Sequence, residues 1–303
     1  MFLVITMKTF QFQHKKNQNY FEGWYIRLID SKHQINIAVI FAISYAEQHP
    51  HSFIQVYNGT DKQAHYYTFG VDEFHFDADT YTVQIGENYL SPTSLVLNID
   101  EYKLQAEVSH RILLEQYQST YSPMGRLSKA PLECFQEVIY LNGSVSFTLN
   151  GTEYDGTSYM EKTYGTNFPT KWIWIESSTS EKGSLLSFSV GIVPVLFLKI
   201  KGFFLIYRHN NKEHRFGSFN LSRIKVLDYT DYHTTIQIKK GRTRIVLKAQ
   251  TNHPIKLIGP RKNGVMDLAV FESLDSTATI HVYHGKKLIF DDSYTNVGLE
   301  LMY

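Results

Sequence analysis

The sequence of 303 residues contains a single cysteine, Cys134, and only 19% charged residues. One cysteine cannot form an intramolecular disulfide, so nothing indicates an oxidising compartment, and a zinc site built on several cysteines is excluded. The 30 basic and 29 acidic side chains nearly cancel. This balance argues against nucleic acid as the main partner, because phosphate binding needs a clustered excess of Lys and Arg.

Long apolar runs are also missing. The longest, residues 191–207, is interrupted by Pro194, Lys199 and Lys201 and falls short of the ~20 apolar residues of a membrane span. The opening heptapeptide, MFLVITM, is too short for a signal peptide and has no small-residue cleavage site. We therefore expect a soluble, cytoplasmic protein.

The common cofactor and nucleophile motifs are absent. No GxGxxG follows a strand, no P-loop or GxSxG elbow is present, and the 13 histidines include no HExxH. We accordingly expect no metal site.

Aromatic residues are abundant, with 21 Tyr and 20 Phe. They favour strands and line apolar pockets. Short runs of alternating polarity, such as residues 94–100 and 234–240, are bounded by turn residues, which is typical of strands. Asn142-Gly143 and Asn150-Gly151 each predict a type I′ turn and together a three-stranded meander.

The chain repeats itself loosely at an offset near 150 residues. Trp24 aligns with Trp172, Phe69-Gly70 with Phe216-Gly217, and Tyr159 with Tyr294. We therefore predict an all-β protein of two lipocalin-like antiparallel β-barrels or curved sheets in tandem. The predicted domains are residues 1–165 and 166–303, each with eight or so strands, and residues 1–18 are predicted to form a peripheral strand or arm.

Three segments place a carboxylate among aromatic residues. Their carboxylates are Glu22 in YFEGWY, Glu133 in PLECFQ and Glu161 in YMEKTYG. A carboxyl group in an apolar pocket has a raised pKa and can donate a proton near neutral pH. Aromatic faces stabilise a developing cation. Together these groups would suit protonation of an alkene.

Structural roles are an equally open interpretation. Glu22 and Glu161 would then be buried partners of Arg or Lys, and Lys162 is adjacent to Glu161. Trp172 and Trp174 share one strand face and would be core or interface residues. Cys134 would be a small buried hydrophobe, because no histidine is close in sequence to activate it.

At these segments the sequence resembles the tocopherol cyclase family. The matching stretches are YFEGWY at 20–25, HSFIQV at 51–56, SPMG with LEC at 122–134, YMEKTYGTNFPTKWIWIE at 159–176 and NVGLELMY at 296–303. The likeness extends from about residue 19 to the end, and it also implies a double-lipocalin architecture.

The resemblance implies a cofactor-free isomerisation. A prenylated hydroquinone is protonated at a side-chain double bond, and its phenol oxygen closes a chromanol ring on the tertiary cation. Carried over, the acid candidates are Glu161, Glu22 and Glu133. The residues expected to bind the substrate are Trp24, Tyr25, Met124, Gln136, Tyr159, Tyr164, Trp172 and Trp174.

Two positions depart from the family pattern. Gln136 stands where members commonly have His, and Tyr164 where they commonly have Trp. Because Gln cannot shuttle a proton as His can, a non-catalytic carrier of a hydrophobic isoprenoid stays an alternative, as does a carotenoid-type hydratase. The implied partner is a hydrophobic small molecule. Peripheral membrane contact also stays open, although no basic amphipathic helix supports it.

Overall fold

The computed structural model describes residues 9–13, 19–195, 198–251 and 253–303. The chain is an all-β protein of two lipocalin-like antiparallel sheets in tandem, as predicted. Of the predicted N-terminal arm, residues 1–8 (with the MFLVITM heptapeptide) and 14–18 lie outside the described residues.

The chain divides into two compact units, each drawn from separate parts of the sequence. Unit 1 consists of Met1–Leu114, Glu133–Phe168 and Ile258–Leu268. Unit 2 consists of Glu115–Leu132, Pro169–Leu257 and Ala269–Tyr303. The main division falls between Phe168 and Pro169, while the predicted division into 1–165 and 166–303 assigned each domain one continuous stretch.

Unit 1 is built on a sheet of eleven strands in the order β4-β3-β2-β1-β11-β10-β9-β8-β7-β6-β5. The strands are β1 (Phe21–Asp30), β2 (Ile35–Ser44), β3 (His51–Asn58), β4 (Gln63–Phe69), β5 (Phe74–Asp77), β6 (Thr82–Ile85), β7 (Asn88–Leu90), β8 (Ser94–Ile99), β9 (Tyr102–Ile112), β10 (Cys134–Leu149) and β11 (Thr152–Gly165).

Most of the second sheet belongs to unit 2, and only the end of β20 and the start of β21 fall in Ile258–Leu268 of unit 1. Its order is β16-β15-β14-β12-β22-β21-β19-β18-β17, with β13 paired to β22 and β20 to β21. The strands are β12 (Trp172–Ser177), β13 (Thr179–Ser180), β14 (Leu185–Val195), β15 (Leu198–His209), β16 (Lys212–Gly217), β17 (Arg223–Tyr229), β18 (His233–Lys240), β19 (Thr243–Gln250), β20 (Ile255–Pro260), β21 (Met266–His284) and β22 (Lys287–Met302).

The predicted internal repeat is confirmed by the strand order. β1 lies between β2 and β11, and β12 lies between β14 and β22 in the same way. Phe69-Gly70 lies at the end of β4 and Phe216-Gly217 at the end of β16, and both are edge strands of their sheets. Each is followed by a short 3-10 helix, Val71–Glu73 and Ser218–Asn220. The predicted pairing of Tyr159 with Tyr294 is not reproduced in register, because Tyr159 lies opposite Arg27, three residues after Trp24, whereas the residue opposite Ile175, three after Trp172, is Leu299.

One of the two predicted Asn-Gly turns forms. Asn150 and Gly151 have φ of 50° and 84° and join β10 to β11, as a type I′ turn requires. The prediction for Asn142-Gly143 is wrong, because β10 runs through both residues with only a register irregularity. Gly143 is needed there for close packing, since an added Cβ would lie 2.5 Å from Val108 Cγ1.

The strands differ in how many of their faces are buried. β9 alternates strictly between buried and exposed residues over Tyr102–Ser109, which is typical of a sheet with one solvated face. All six residues of β12 are buried, and so are most residues of β1. β1 and β12 are therefore covered on both faces. No described helix is long and apolar enough to cross a membrane.

Candidate functional site

Apart from Glu133, the predicted site residues of unit 1 lie on three neighbouring strands, β10, β11 and β1. Glu161 is opposite Tyr25 on β1, and Lys162 is opposite Trp24. Because successive side chains of a strand point to opposite faces, Glu161 and Lys162 lie on different faces. Trp24 belongs to the apolar core of unit 1, so we name its side the core face and the side of Glu161 the opposite face.

The opposite face holds a buried carboxylate fixed by neighbouring groups. Both oxygens of Glu161 accept hydrogen bonds from Gln136 Nε2 at 2.9 Å, and Glu161 Oε2 accepts a third from the Tyr159 hydroxyl at 2.6 Å. Glu161 is 7% exposed and Tyr159 is fully buried. The structure therefore brings four predicted residues together here, Glu161, Gln136, Tyr159 and Tyr25.

This arrangement suits a carboxyl group that gains and loses a proton. A hydroxyl group accepts hydrogen bonds as well as donating them. Tyr159 can consequently donate to an ionised Glu161 or accept from a protonated one without moving. The Gln136 amide fixes the carboxyl plane, because it contacts both oxygens.

The core face holds a buried ion pair. Glu22 Oε1 lies 2.8 Å from Lys162 Nζ, and both side chains are fully buried. Glu22 Oε2 also accepts hydrogen bonds from the Tyr20 hydroxyl at 2.6 Å and from Gln13 N at 2.9 Å. Burial lowers the pKa of Lys162, and attraction to Glu22 opposes that shift. Such a fully paired carboxylate favours the structural interpretation for Glu22.

Residues 9–13 lie next to this ion pair, and Phe10 and Phe12 pack on the core of unit 1. Phe10 is fully buried, and its carbonyl oxygen accepts a hydrogen bond from Trp24 Nε1 at 2.8 Å. The Gln11 carbonyl accepts one from Lys162 Nζ. Phe12 packs on Trp24 with ring centroids 6.1 Å apart. The expectation of a peripheral arm is therefore wrong for Phe10, which belongs to the apolar core of unit 1, whereas Gln11 is exposed.

Tyr164 also lies on the core face. Its ring stacks on Phe135 at a centroid distance of 5.2 Å, and Lys162 Nζ lies 5.0 Å from its centroid. Burial, followed by the charge of Glu137, raises the pKa of the Tyr164 hydroxyl. Tyr164 and Trp24 therefore lie next to Lys162, the partner of Glu22, and not next to Glu161.

Glu133 precedes β10 and is half-buried. Its carboxylate accepts a hydrogen bond from Asn167 Nδ2, and its carbonyl oxygen accepts bonds from Thr166 N and Asn167 N. An added Cβ on Gly165 would lie 2.1 Å from that carbonyl oxygen. These contacts join the segment before β10 to the end of β11 and therefore give Glu133 a structural role.

The other predicted binding residues belong to unit 2. Trp172 and Trp174 are two residues apart on β12, share a face, and are each buried. Trp172 Nε1 donates to the Glu300 carboxylate on β22. Met124 precedes the 3-10 helix Gly125–Lys129, and its Cε would lie 3.5 Å from a Cβ added at Gly202.

Cys134 fits the interpretation as a small buried residue. Burial raises the pKa of its thiol to about 12, so the thiolate that a nucleophile needs is scarce at neutral pH. Among the residues that the structure describes, no group of three His, Cys, Asp or Glu side chains is placed to hold a metal ion.

A separate cavity of about 310 Å³ opens at the turns of unit 1, lined partly by Asn58, Asp61, Glu101 and Asn150. These polar groups are already used locally. Asn58 Nδ2 donates to Asp61 Oδ2 at 2.7 Å, and Tyr67 donates to Glu101 Oε2 at 2.9 Å. None of the predicted site residues contributes to its lining.

Sequence reasoning missed the partners of Glu22. Lys162, Tyr20 and Gln13 were not assigned to it, and Lys162 was considered beside Glu161 instead. Strand alternation was the available signal, since it places residues 161 and 162 on opposite faces. No sequence signal specified that residue 22 lies next to residue 162.

Neither a protein-family model nor a curated protein matches the chain. Several solved structures share the fold, including the following two. A protein of Nitrosomonas europaea provisionally named AttH has a TM-score of 0.56 and 11% identity, over 95% of this chain and 93% of that one. Kievitone hydratase of Nectria haematococca has a TM-score of 0.52 and 12% identity, over 92% and 88%. These likenesses support the fold expected from the resemblance and, at such identities, leave the reaction open.

Proposed function

We propose that the protein is a tocopherol-cyclase-like isomerase that closes a prenylated hydroquinone to a chromanol. The observation that carries the proposal is the setting of Glu161, a buried carboxyl group oriented by Gln136 and Tyr159. The stretch of residues 159–176, which resembles the tocopherol cyclase family, includes Glu161, whereas Gln136 departs from the family pattern.

The reaction needs one proton and returns it. Glu161 transfers its carboxyl proton to the less substituted carbon of a side-chain double bond, and the π bond breaks to leave a tertiary cation. A lone pair of the phenol oxygen forms the C–O bond to that cation. The phenol proton then passes to the Glu161 carboxylate, so the acid is restored and the net change is an isomerisation.

Replacing Glu161 by Gln tests the assignment with a prenylated hydroquinone as substrate. Because general acid catalysis contributes about 10²–10⁴-fold, we expect Glu161→Gln to lower turnover by at least ~100-fold while the protein stays folded. Glu133→Gln is the matched control and should keep most of the activity, since Glu133 bonds Asn167 outside the Glu161 cluster. Equal losses in both variants would contradict the role of Glu161.

The products also separate the related reactions. Chromanol has the mass of the substrate, whereas capture of the cation by water would add the mass of one water molecule. A product heavier by one water molecule would assign hydratase chemistry. We include this measurement because one structural neighbour is named kievitone hydratase.

A non-catalytic carrier is the second candidate function. It is favoured by Gln136, whose amide contacts both Glu161 oxygens and cannot relay a proton. If wild-type protein at high concentration leaves the substrate unchanged while native mass spectrometry finds a co-purified isoprenoid, the carrier function replaces the isomerase.

A further inference from the structure

Two hairpin tips of unit 2 lie side by side. The β18–β19 turn spans residues 240–243 and the β21–β22 turn spans residues 284–287. Thr243 pairs with His284 across the two hairpins, and Gly285 N donates to Arg242 O at 2.8 Å. Arg223, at the start of β17, pairs with Lys239 and extends the same end of the sheet.

These segments carry a local excess of positive charge. We name residue 223 with residues 239–242 and 284–289 the basic tip; its Lys and Arg side chains all belong to exposed residues, and its sequence includes no Asp or Glu. The six basic residues are Arg223, Lys239, Lys240, Arg242, Lys286 and Lys287. Nearby Asp291 is paired with Lys182 at 2.7 Å, so the excess persists. It contrasts with a formal charge of only +1 for the whole chain.

Exposed aliphatic side chains lie among or near the basic residues of the tip. Leu288 and Ile289 follow Lys287 directly and are 43% and 55% exposed. Leu221, two residues before Arg223, is 90% exposed and has φ of 62°. Single exposed apolar residues are ordinary. Two adjacent aliphatics among six cations are typical of an interfacial membrane contact, which combines apolar insertion with attraction to anionic lipid.

We propose that the basic tip binds the surface of anionic phospholipid membranes. The Lys and Arg side chains would contact lipid phosphates, and Leu288 and Ile289 would enter the boundary between headgroups and acyl chains. A nucleic acid would satisfy the cations but would gain little from two aliphatic side chains, so the observations favour lipid. This surface does not depend on the proposed isomerase reaction.

Vesicle co-sedimentation of the full chain tests the proposal. Vesicles of phosphatidylcholine alone are compared with vesicles containing 30% phosphatidylserine, at low salt and in 0.5 M NaCl. The charge variant combines Lys240→Glu, Arg242→Glu, Lys286→Glu and Lys287→Glu. A matched control makes the same total charge change at exposed lysines elsewhere, with Lys32→Glu, Lys129→Glu, Lys248→Glu and Lys256→Glu. A third variant combines Leu288→Asn and Ile289→Asn.

We expect wild-type protein to bind the anionic vesicles at least tenfold more tightly than neutral ones, with most of that preference lost in high salt because exposed charges are screened. The charge variant and the Asn variant should each lose tenfold or more, and the control less than threefold. Absence of a preference for anionic vesicles, or an equal loss in the control, would overturn the proposal.

A duplex DNA oligonucleotide serves as the competing polyanion. Tighter binding to DNA than to vesicles, with no effect of the Asn variant, would assign a nucleic-acid surface and also overturn the membrane proposal. If the charge variant does not fold, the Asn variant and the salt dependence of wild-type binding still decide the question.

Discussion

The ion pair between Glu22 and Lys162 is expected to be among the most costly contacts to break in unit 1. Both side chains are fully buried at 2.8 Å, and Glu22 also accepts bonds from Tyr20 and Gln13. In Glu22→Gln the carboxamide keeps an acceptor for Tyr20. However, it leaves the Lys162 ammonium without its counter-charge. Removing one partner of a buried pair costs about 3–5 kcal/mol.

The same principle predicts strong coupling between the two residues. Lys162→Met leaves the Glu22 carboxylate buried and should cost a similar amount. The double variant Glu22→Gln with Lys162→Met removes both charges and should recover at least ~2 kcal/mol of the summed loss, because neither charge is then uncompensated.

Urea unfolding followed by tryptophan fluorescence measures these free energies. Asp291→Asn is the control, because it removes one partner of the exposed Lys182–Asp291 pair, which solvent screens, and should have a much smaller effect. If Glu22→Gln costs less than ~1 kcal/mol, or if the two single losses simply add, Glu22 is not held as the structure indicates.

Three further predictions concern single positions. Cys134 should react with a thiol reagent at pH 8 only as fast as the protein opens, because burial raises its pKa to about 12; rapid labelling of folded protein would contradict this. Gly165→Ala should destabilise by about 1–3 kcal/mol more than Gly151→Ala, measured by urea unfolding, because an added Cβ meets Glu133 O at 2.1 Å at the first position and nothing within 4 Å at the second. Gln136→His should raise turnover of a prenylated hydroquinone about tenfold or more by placing an imidazole beside Glu161, and an unchanged rate would show that no relay acts there.

Local patterns predicted the strands and the repeat well. Alternation sufficed for β8 and β18, and Phe69-Gly70 with Phe216-Gly217 marked equivalent corners of the two sheets. The Asn142-Gly143 prediction failed because glycine, which is common in turns, can also be required inside a strand where a neighbouring side chain leaves no room for a Cβ. Here Val108 approaches too closely for any residue larger than glycine without rearrangement.

Long-range pairing could not be predicted in the same way. Residues 22 and 162 are far apart in sequence, and only the β1–β11 register brings them together. The burial of Phe10 could not be predicted either, because the residues that cover it come from distant strands of the folded sheet. Gln136 and Glu161 were each selected from the motifs, but their contact follows from the β10–β11 register.

The most direct test of the central claim is the reaction run in D₂O. The Glu161 carboxyl proton exchanges with solvent, so a chromanol made by protonation of the double bond must carry one carbon-bound deuterium, seen by mass spectrometry after back-exchange of the hydroxyl. We expect this product from wild-type protein and almost none from Glu161→Gln. Chromanol without the deuterium, or equal amounts from both proteins, would contradict proton donation by Glu161.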